Sequence, residues 1–180
     1  MTRFFIVTLF SCFFCTSVLA QWSNGQAADV VFGQADMTSS STGTTSSTLN
    51  TFTGEAGGIV YDSQNAKLYI IDKNNNRVLR FSYPSGGFST NQPSAEAVLG
   101  QPNFVTSSTG TTSQKMNSPV AGAILGDTLW IAEYGNQRVI GFFNASTKAT
   151  GAAADVVLGQ PDFVSSTFGT TAAVMHSPSG

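Results

Sequence analysis

The sequence predicts an all-β protein built from repeated four-stranded antiparallel units, and three observations support this fold class. The segment GGIVYDSQNAKLYIIDKNNNRVLRFSY at residues 57–83 returns in related form as GAILGDTLWIAEYGNQRVIGFF at residues 122–143. A shorter Gly-Gln segment of the type VVFGQ or VLGQP occurs three times, at intervals of 67 and 59 residues. Charged residues make up only 10% of the chain. Ser, Thr, Gly and Asn supply most of the polarity instead, which is typical of a turn-rich β protein.

The first repeated segment predicts three strands, at residues 59–62, 67–72 and 77–83, which we denote a, b and c. They are rich in Val, Ile, Leu, Tyr and Phe and are separated by the turn sequences SQN and KNNN. Asn and Asp favour such turns because their side chains bond nearby backbone groups. The second unit predicts the same strands at residues 123–125, 128–133 and 138–143.

Each Gly-Gln segment predicts a fourth strand, d, that ends at the glycine. Such strands are expected at residues 28–33 and before Gly100 and Gly159, and a Ser/Thr/Gly loop follows each of them, at residues 39–45, 107–112 and 165–171. Four antiparallel strands in a unit of about sixty residues form the blade of a β-propeller. The two complete blades are expected at approximately residues 57–100 and 122–159.

The run from Asp72 to Val78, which follows GGIVYD and KLYIID, resembles the NHL repeat of β-propellers. The VLGQPDF segments resemble a subgroup of long NHL-type repeats. The resemblance covers residues 28–180 and is weaker at 122–143, where Glu133 replaces the aspartate and Gln137 precedes the arginine. It implies a ring of about six blades.

Counted by strands, the chain holds an outer strand d at residues 28–33, two full blades and the start of a third at residue 177. We therefore expect a partial β-propeller, the N-terminal portion of a longer protein whose remaining blades close the ring. The alternative is closure by self-association of two-blade units. Taken alone, the chain is expected to expose an apolar face and an unpaired edge, and so to have low solubility.

The first 20 residues have the pattern of a secretory signal peptide, with cleavage expected after Ala20. Arg3 precedes an apolar run that is short for a membrane span, and a signal anchor is the alternative. Both cysteines, Cys12 and Cys15, lie in this leader, so no disulfide framework or thiol chemistry is expected in the mature domain, residues 21–180. We expect a secreted, extracellular protein with no membrane partner after the leader is removed.

The charge balance argues against nucleic acid as a partner. Without Arg3 the chain carries seven basic and ten acidic residues, a net charge of −3. Propellers that bind RNA inside the cell share this type of repeat, but they are expected to present a basic face.

An acid ends strand b and an arginine opens strand c in both units, as Asp72 with Arg77 and Glu133 with Arg138. Across a turn the two side chains can meet, and a guanidinium can also bind the carbonyl groups of a tight loop. Because each unit repeats the pair, we expect a structural clamp rather than a catalytic pair.

The remaining polar residues suggest no catalytic residue, metal site or cofactor. His176, the only histidine, is expected to be a loop residue, since a zinc site requires three or four ligands. Asp62 and Asp127 are expected in turns. Glu55 and Trp22 are weak candidates for ligand contact. Tyr69 and Trp130 are expected to lie in the core between blades. Asn144, in the sequon Asn144-Ala145-Ser146, is expected to be glycosylated.

These observations favour a secreted propeller that acts as a binding scaffold, with blade-end loops that contact an extracellular protein or glycan. This functional expectation rests on analogy between folds. The alternative is the N-terminal part of a secreted propeller enzyme of the lyase or lactonase type, with a divalent metal bound in the channel.

Overall fold

The computed structural model describes residues 23–51 and 58–179, and these residues form two four-stranded antiparallel sheets. In the first sheet the strands are β1 (Ile59–Asp62), β2 (Lys67–Asp72), β3 (Arg77–Ser82) and β4 (Ala97–Leu99). In the second they are β5 (Pro119–Leu125), β6 (Thr128–Glu133), β7 (Arg138–Phe142) and β8 (Val156–Leu158). Neighbouring strands follow chain order in both sheets, as in propeller blades. The prediction of an all-β fold of four-stranded blades is confirmed, and we call the sheets blade 1 and blade 2.

The main core lies between the two blades, where β5 lies against β1 and β2. Because side chains alternate along a strand, Tyr69 and Ile71 of β2 face blade 2, whereas Leu68 and Ile70 face the opposite way. From blade 2, the core receives alternate residues of β6 and β7. The buried members of this core are Val60, Tyr69, Ile71, Val78, Leu99, Met116, Leu129, Ile131, Ile140, Phe142, Ala145 and Ala154.

A second, smaller core covers the other face of blade 1. Leu79 and Phe81 of β3 are buried there together with Leu68 and Ile70. Residues from outside the sheet pack over them, and the ring of Phe32 meets that of Phe81 edge-on with centroids 5.3 Å apart. This packing brings the segment before blade 1 onto the sheet face.

The outer strand expected at residues 28–33 is absent from the described structure, which corrects the sequence prediction. A strand needs a neighbouring strand, and the expected partner of this segment is the last blade of the ring, which is neither of the two described sheets. Val31 instead accepts a hydrogen bond from the amide of Gln92 (2.9 Å) and donates one to the side chain of Asn91 (3.0 Å). Residues 177–179, where a third blade was expected to start, are also outside any strand.

Strands β4 and β8 end at glycines with left-handed backbone conformation. Gly100 has φ +83° and Gly159 has φ +80°. At Gly100 a Cβ atom would lie 2.6 Å from the side chain of Met116, and at Gly159 it would lie 2.3 Å from that of Met175. Glycine is therefore required at both positions for its conformation and for the close approach of the methionine. The chain turns here into the connector that leads to the next blade.

Candidate functional site

We number the connectors between blades by position: connector 1 spans residues 34–50, connector 2 spans residues 101–118 and connector 3 spans residues 160–177. Arg77 joins the first two. Its Nε donates to Oδ2 of Asp72 (2.7 Å) and its Nη1 to the carbonyl of Phe104 (2.6 Å). Its Nη2 donates to the carbonyls of Thr45 (2.9 Å) and Thr48 (3.0 Å). One guanidinium thus ties the turn of blade 1 to the connectors on either side.

Arg138 repeats this arrangement in blade 2. It donates to Oε2 of Glu133 (2.6 Å) and to the carbonyl of Phe163 in connector 3 (2.6 Å). Its Nη2 donates to the carbonyls of Thr112 (2.9 Å) and Lys115 (3.2 Å). Burial raises the pKa of Glu133 above its ordinary value, and the charge and hydrogen bond of Arg138 offset part of that effect.

Two asparagines, which were not among the predicted site residues, complete the clusters. The side-chain amide of Asn75 donates to Oδ2 of Asp72 and to the carbonyl of Gly43, both at 2.8 Å, and its Oδ1 accepts from the hydroxyl of Thr44. Asn136 makes the equivalent bonds in blade 2. Alignment of the two units could have identified both asparagines, because an Asn stands two residues before the arginine in each unit.

A glutamine follows the glycine of each strand d and holds the connector to the turn. The amide nitrogen of Gln101 donates to the carbonyls of Asn76 (3.0 Å) and Ser108 (2.9 Å). Gln160 does the same with Gln137 and Thr167. Among the described residues, Gln34 has only the connector bond, from its amide nitrogen to the carbonyl of Ser41 (2.7 Å).

Gln101→Ala is expected to lower the free energy of unfolding by about 1–3 kcal/mol, because the buried carbonyl of Asn76 loses its donor and the carbonyl of Ser108 loses its bond to the turn. Gln34→Ala is the matched control, since its side chain makes one bond and is partly exposed. It should cost at most about 1 kcal/mol. Urea unfolding of both variants measures the difference, and equal losses would contradict the role given to Gln101.

These clusters are closed to solvent. The side chains of both ion pairs are 0% exposed, and each of the four charged groups is bound on several sides by protein. Substrate cannot reach them, so their geometry is that of a clamp between turn and connectors.

The other predicted turn acids are also held by local bonds. Asp62 accepts hydrogen bonds from the backbone amides of Gln64 and Asn65 and from the side chain of Asn65. Asp127 accepts from the amide (2.9 Å) and the hydroxyl (2.8 Å) of Ser146. Both carboxylates therefore serve the turn at the end of the blade opposite the clamp.

A further ion-pair group links the blades at this opposite end. Glu96 lies 2.6 Å from Nε of Arg80 and 2.8 Å from Nζ of Lys67. Nη1 of Arg80 reaches the loop between β7 and β8 of blade 2, where it donates to the carbonyls of Ala145 (2.6 Å) and Lys148 (2.8 Å). Burial opposes ionisation of Glu96, but its hydrogen bonds to Lys67, Ser82 and Arg80 outweigh burial and lower its pKa.

The structure does not bring the remaining candidate residues together. His176 is exposed, with its ring centroid 5.5 Å from that of Phe168. Trp22, Glu55 and the predicted signal peptide lie outside the described residues. Within residues 23–51 and 58–179, no group of three or more His, Cys, Asp or Glu side chains is arranged to hold a metal ion.

Blade 2 presents an open apolar face on the side away from blade 1. Cross-strand pairing places Ala123 beside Trp130 and Ala132 beside Val139, and these residues line a shallow depression of about 230 Å³ together with Ala121 and Gly122. The prediction that Trp130 is a core residue is wrong here. Its counterpart Tyr69 is fully buried against blade 2, whereas Trp130 is half-buried because no described blade covers this face.

Asp36, at the start of connector 1, holds its turn with four hydrogen bonds from Thr38 and Ser39. The hydroxyl of Thr38 contributes most to lowering the pKa of Asp36 to about 2. The turn should gain from the ionised carboxylate above pH 4 and lose that contribution as the pH falls through 2. An NMR titration of the carboxyl group should give this midpoint, and Thr38→Val should move it upward; an unchanged midpoint would contradict the assignment.

Asn144 is exposed at the start of the connector between β7 and β8, and its backbone is left-handed with φ 50°. The third sequon residue, Ser146, is buried, and its hydroxyl is bonded to Asp127. The Asn144 side chain itself is thus open to solvent in the folded protein.

Comparisons with known proteins return distant structural likenesses. No protein-family model and no curated protein sequence matches the chain. Among solved structures, the chain is similar to one of a luciferin-regenerating enzyme, with 17% sequence identity and a TM-score of 0.39. The match covers 64% of this chain and 33% of that chain, so this chain spans about a third of that protein's length. The fold assignment rests on the sheets described above.

A search of the described part of the chain for an apolar helix long enough to cross a membrane finds none.

Proposed function

We propose that the chain is part of a secreted NHL-type β-propeller that acts as a binding scaffold for an extracellular protein or glycan. Further blades complete the ring. The blade pair provides a rigid frame, and the connectors present the contact surface.

The observation that carries this proposal is a repeated exposed apolar residue at the clamp end of the blades. Val105 is 71% exposed and Val164 is 70% exposed, and both follow the phenylalanine whose carbonyl accepts from the clamp arginine. The clamps hold the backbone at these positions, so the exposed side chains are presented by a rigid loop. Binding surfaces are commonly built in this way, as loops on a fixed scaffold.

The bonds of the acids also support a scaffold. Asp62, Asp72, Asp127 and Glu133 are each occupied by turn or clamp hydrogen bonds, and Glu96 by two cations. Strand carboxylates committed to structural bonds are not free for general acid or base work.

Secretion and glycosylation are part of the proposal. They are supported by the leader-like first 20 residues and by the exposed Asn144. Expression of the chain from Met1 in a eukaryotic secretory cell should release a protein that begins at Gln21. Asn144→Gln should remove one endoglycosidase-sensitive band shift, and a protein retained in the cytosol would contradict this part of the proposal.

The scaffold function is tested by binding of the secreted protein to a glycan array and to a panel of purified extracellular proteins. We expect binding that survives EDTA and that is lost in the double variant Val105→Asp, Val164→Asp. The double variant Ser107→Asp, Ser166→Asp is the control, because it adds the same two charges at exposed positions two residues further along. Loss of binding in EDTA together with turnover of a lactone or glycoside would favour the metalloenzyme alternative instead.

A further inference from the structure

We propose that connector 3 is a preformed receptor for a turn of sequence acid-x-x-Asn-x-Arg on a further blade. The inference rests on the proposed propeller and defines the chemistry of the partner that completes it. It is based on connectors 1 and 2, whose equivalent backbone groups each bind a turn of this kind.

Connectors 1 and 2 each bind one such turn through equivalent groups. Two carbonyls, those of Thr45 and Thr48 or of Thr112 and Lys115, receive the arginine. A glycine carbonyl accepts a hydrogen bond from the asparagine side chain, and a threonine hydroxyl donates one to it. The backbone amide of Asn50 or Asn117 donates to the acid at 2.8 Å.

Connector 3 has the same internal structure. The amide of Gly169 donates to the carbonyl of Met175 at 3.1 Å, as Gly43 does to Leu49 and Gly110 to Met116. Thr171 and Val174 form the same small bridge as Thr112 and Lys115. The loop therefore has its receptor conformation, although no arginine of the described residues donates to the carbonyls of Thr171 and Val174.

Alignment of the three connectors, 43–50, 110–117 and 169–176, assigns each group of connector 3 a ligand. The carbonyls of Thr171 and Val174 are placed for a guanidinium, the Gly169 carbonyl and Thr170 hydroxyl for a side-chain amide, and the His176 amide for a carboxylate. Thr170, Thr171 and His176 are exposed. Planar bidentate recognition of this type selects arginine over lysine.

The open face of blade 2 offers a place for the body of such a blade. Its residues Ala123, Trp130, Ala132 and Val139 correspond by register to Val60, Tyr69, Ile71 and Val78, which blade 2 buries at the existing interface. A blade packed there in the same way brings its turn between strands b and c onto connector 3.

A second copy of the chain does not meet the requirement. Arg77 and Arg138 are fully buried and already bound by their own connectors. In the second copy, connector 1 already holds the turn of Arg77 and would compete with connector 3 for it. The occupant is therefore a blade whose arginine is not among those of the described residues.

The test extends the full chain after Gly180 with a second copy of residues 122–159, which keeps the repeat register because Ser177 corresponds to Ser118. We expect amide hydrogen exchange of His176 to slow by at least about tenfold relative to the unextended chain, because its amide gains the carboxylate as an acceptor. Arg138→Leu in the added copy alone should abolish this protection, and Arg138→Lys in the added copy should restore only part of it.

Three results would overturn the proposal. They are unchanged exchange in an extended chain whose added strands show amide protection, protection that does not depend on the added arginine, and a dimer of the unextended chain protected at residues 169–177. If the added blade does not fold, a disulfide-cyclised peptide of residues 67–82 replaces it, with its Arg77→Leu variant as control. Because connectors 1 and 2 are occupied, only connector 3 resonances should shift. Glycan or protein binding is not measured, so failure here is distinguishable from failure of the scaffold proposal.

Discussion

Arg138→Leu is expected to lower the free energy of unfolding by about 3–5 kcal/mol, because it leaves the buried Glu133 without its charge partner. Three carbonyl groups, of Thr112, Lys115 and Phe163, lose their donor as well. Arg138→Lys keeps the charge but cannot reach all four acceptors, so it should recover only part of the loss. Chemical unfolding of the three proteins measures this order.

The deficit of Arg138→Leu should also depend on pH. Burial raises the pKa of Glu133 even beside Arg138, and removal of the arginine raises that pKa further. An acid whose folded pKa is raised is favourable below its unfolded pKa of about 4.5 and becomes costly as the pH rises through the folded value. The difference from the wild type should therefore shrink from pH 7 to pH 4.5. A difference that is constant over this range would contradict a buried ionised Glu133.

Ile131→Ala is expected to cost about 2–5 kcal/mol, because it opens a cavity in the core between the blades. Ile131 is 0% exposed and packs in the cluster that joins the two sheets. The loss should appear in urea unfolding as a lower midpoint for the whole transition.

Trp130→Ala is the matched comparison, one residue away on the opposite face of β6. It removes a larger side chain, yet it should cost only about 1–2 kcal/mol in this chain, since the indole is half-buried on the open face of blade 2. A greater loss for Trp130→Ala than for Ile131→Ala would mean that the two faces of β6 have been assigned the wrong way round.

Local sequence features were sufficient to predict the strands of the blades and the acid–arginine pairs. Strands β2 and β6 begin and end at the predicted residues, because the apolar runs and their Asn, Asp and Gly turns are local features. The pairing of Asp72 with Arg77 followed from the same source, since two residues that flank a tight turn stand opposite each other in the ladder. The acid–arginine pair occurs in both units, which indicated that it is not a chance arrangement.

Local features did not reveal the long-range partners. Arg77 binds carbonyls 27 to 32 residues away in two connectors, and Gln101 binds Asn76 across 25 residues. Such bonds depend on how a connector folds back over the turn, and a run of Ser, Thr and Gly does not specify that path.

The sequence by itself determined the all-β repeat, the strands of the blades and the acid–arginine pairs, because these depend on residues near one another in the chain. Tertiary structure decided which face of each blade is buried. Tyr69 and Trp130 are equivalent in sequence and differ in exposure, and residues 28–33 resemble strands β4 and β8 but pair with no sheet. In each case the physical reason is the neighbour: an apolar face is buried, and a strand is formed, only where another blade or a free sheet edge lies against it.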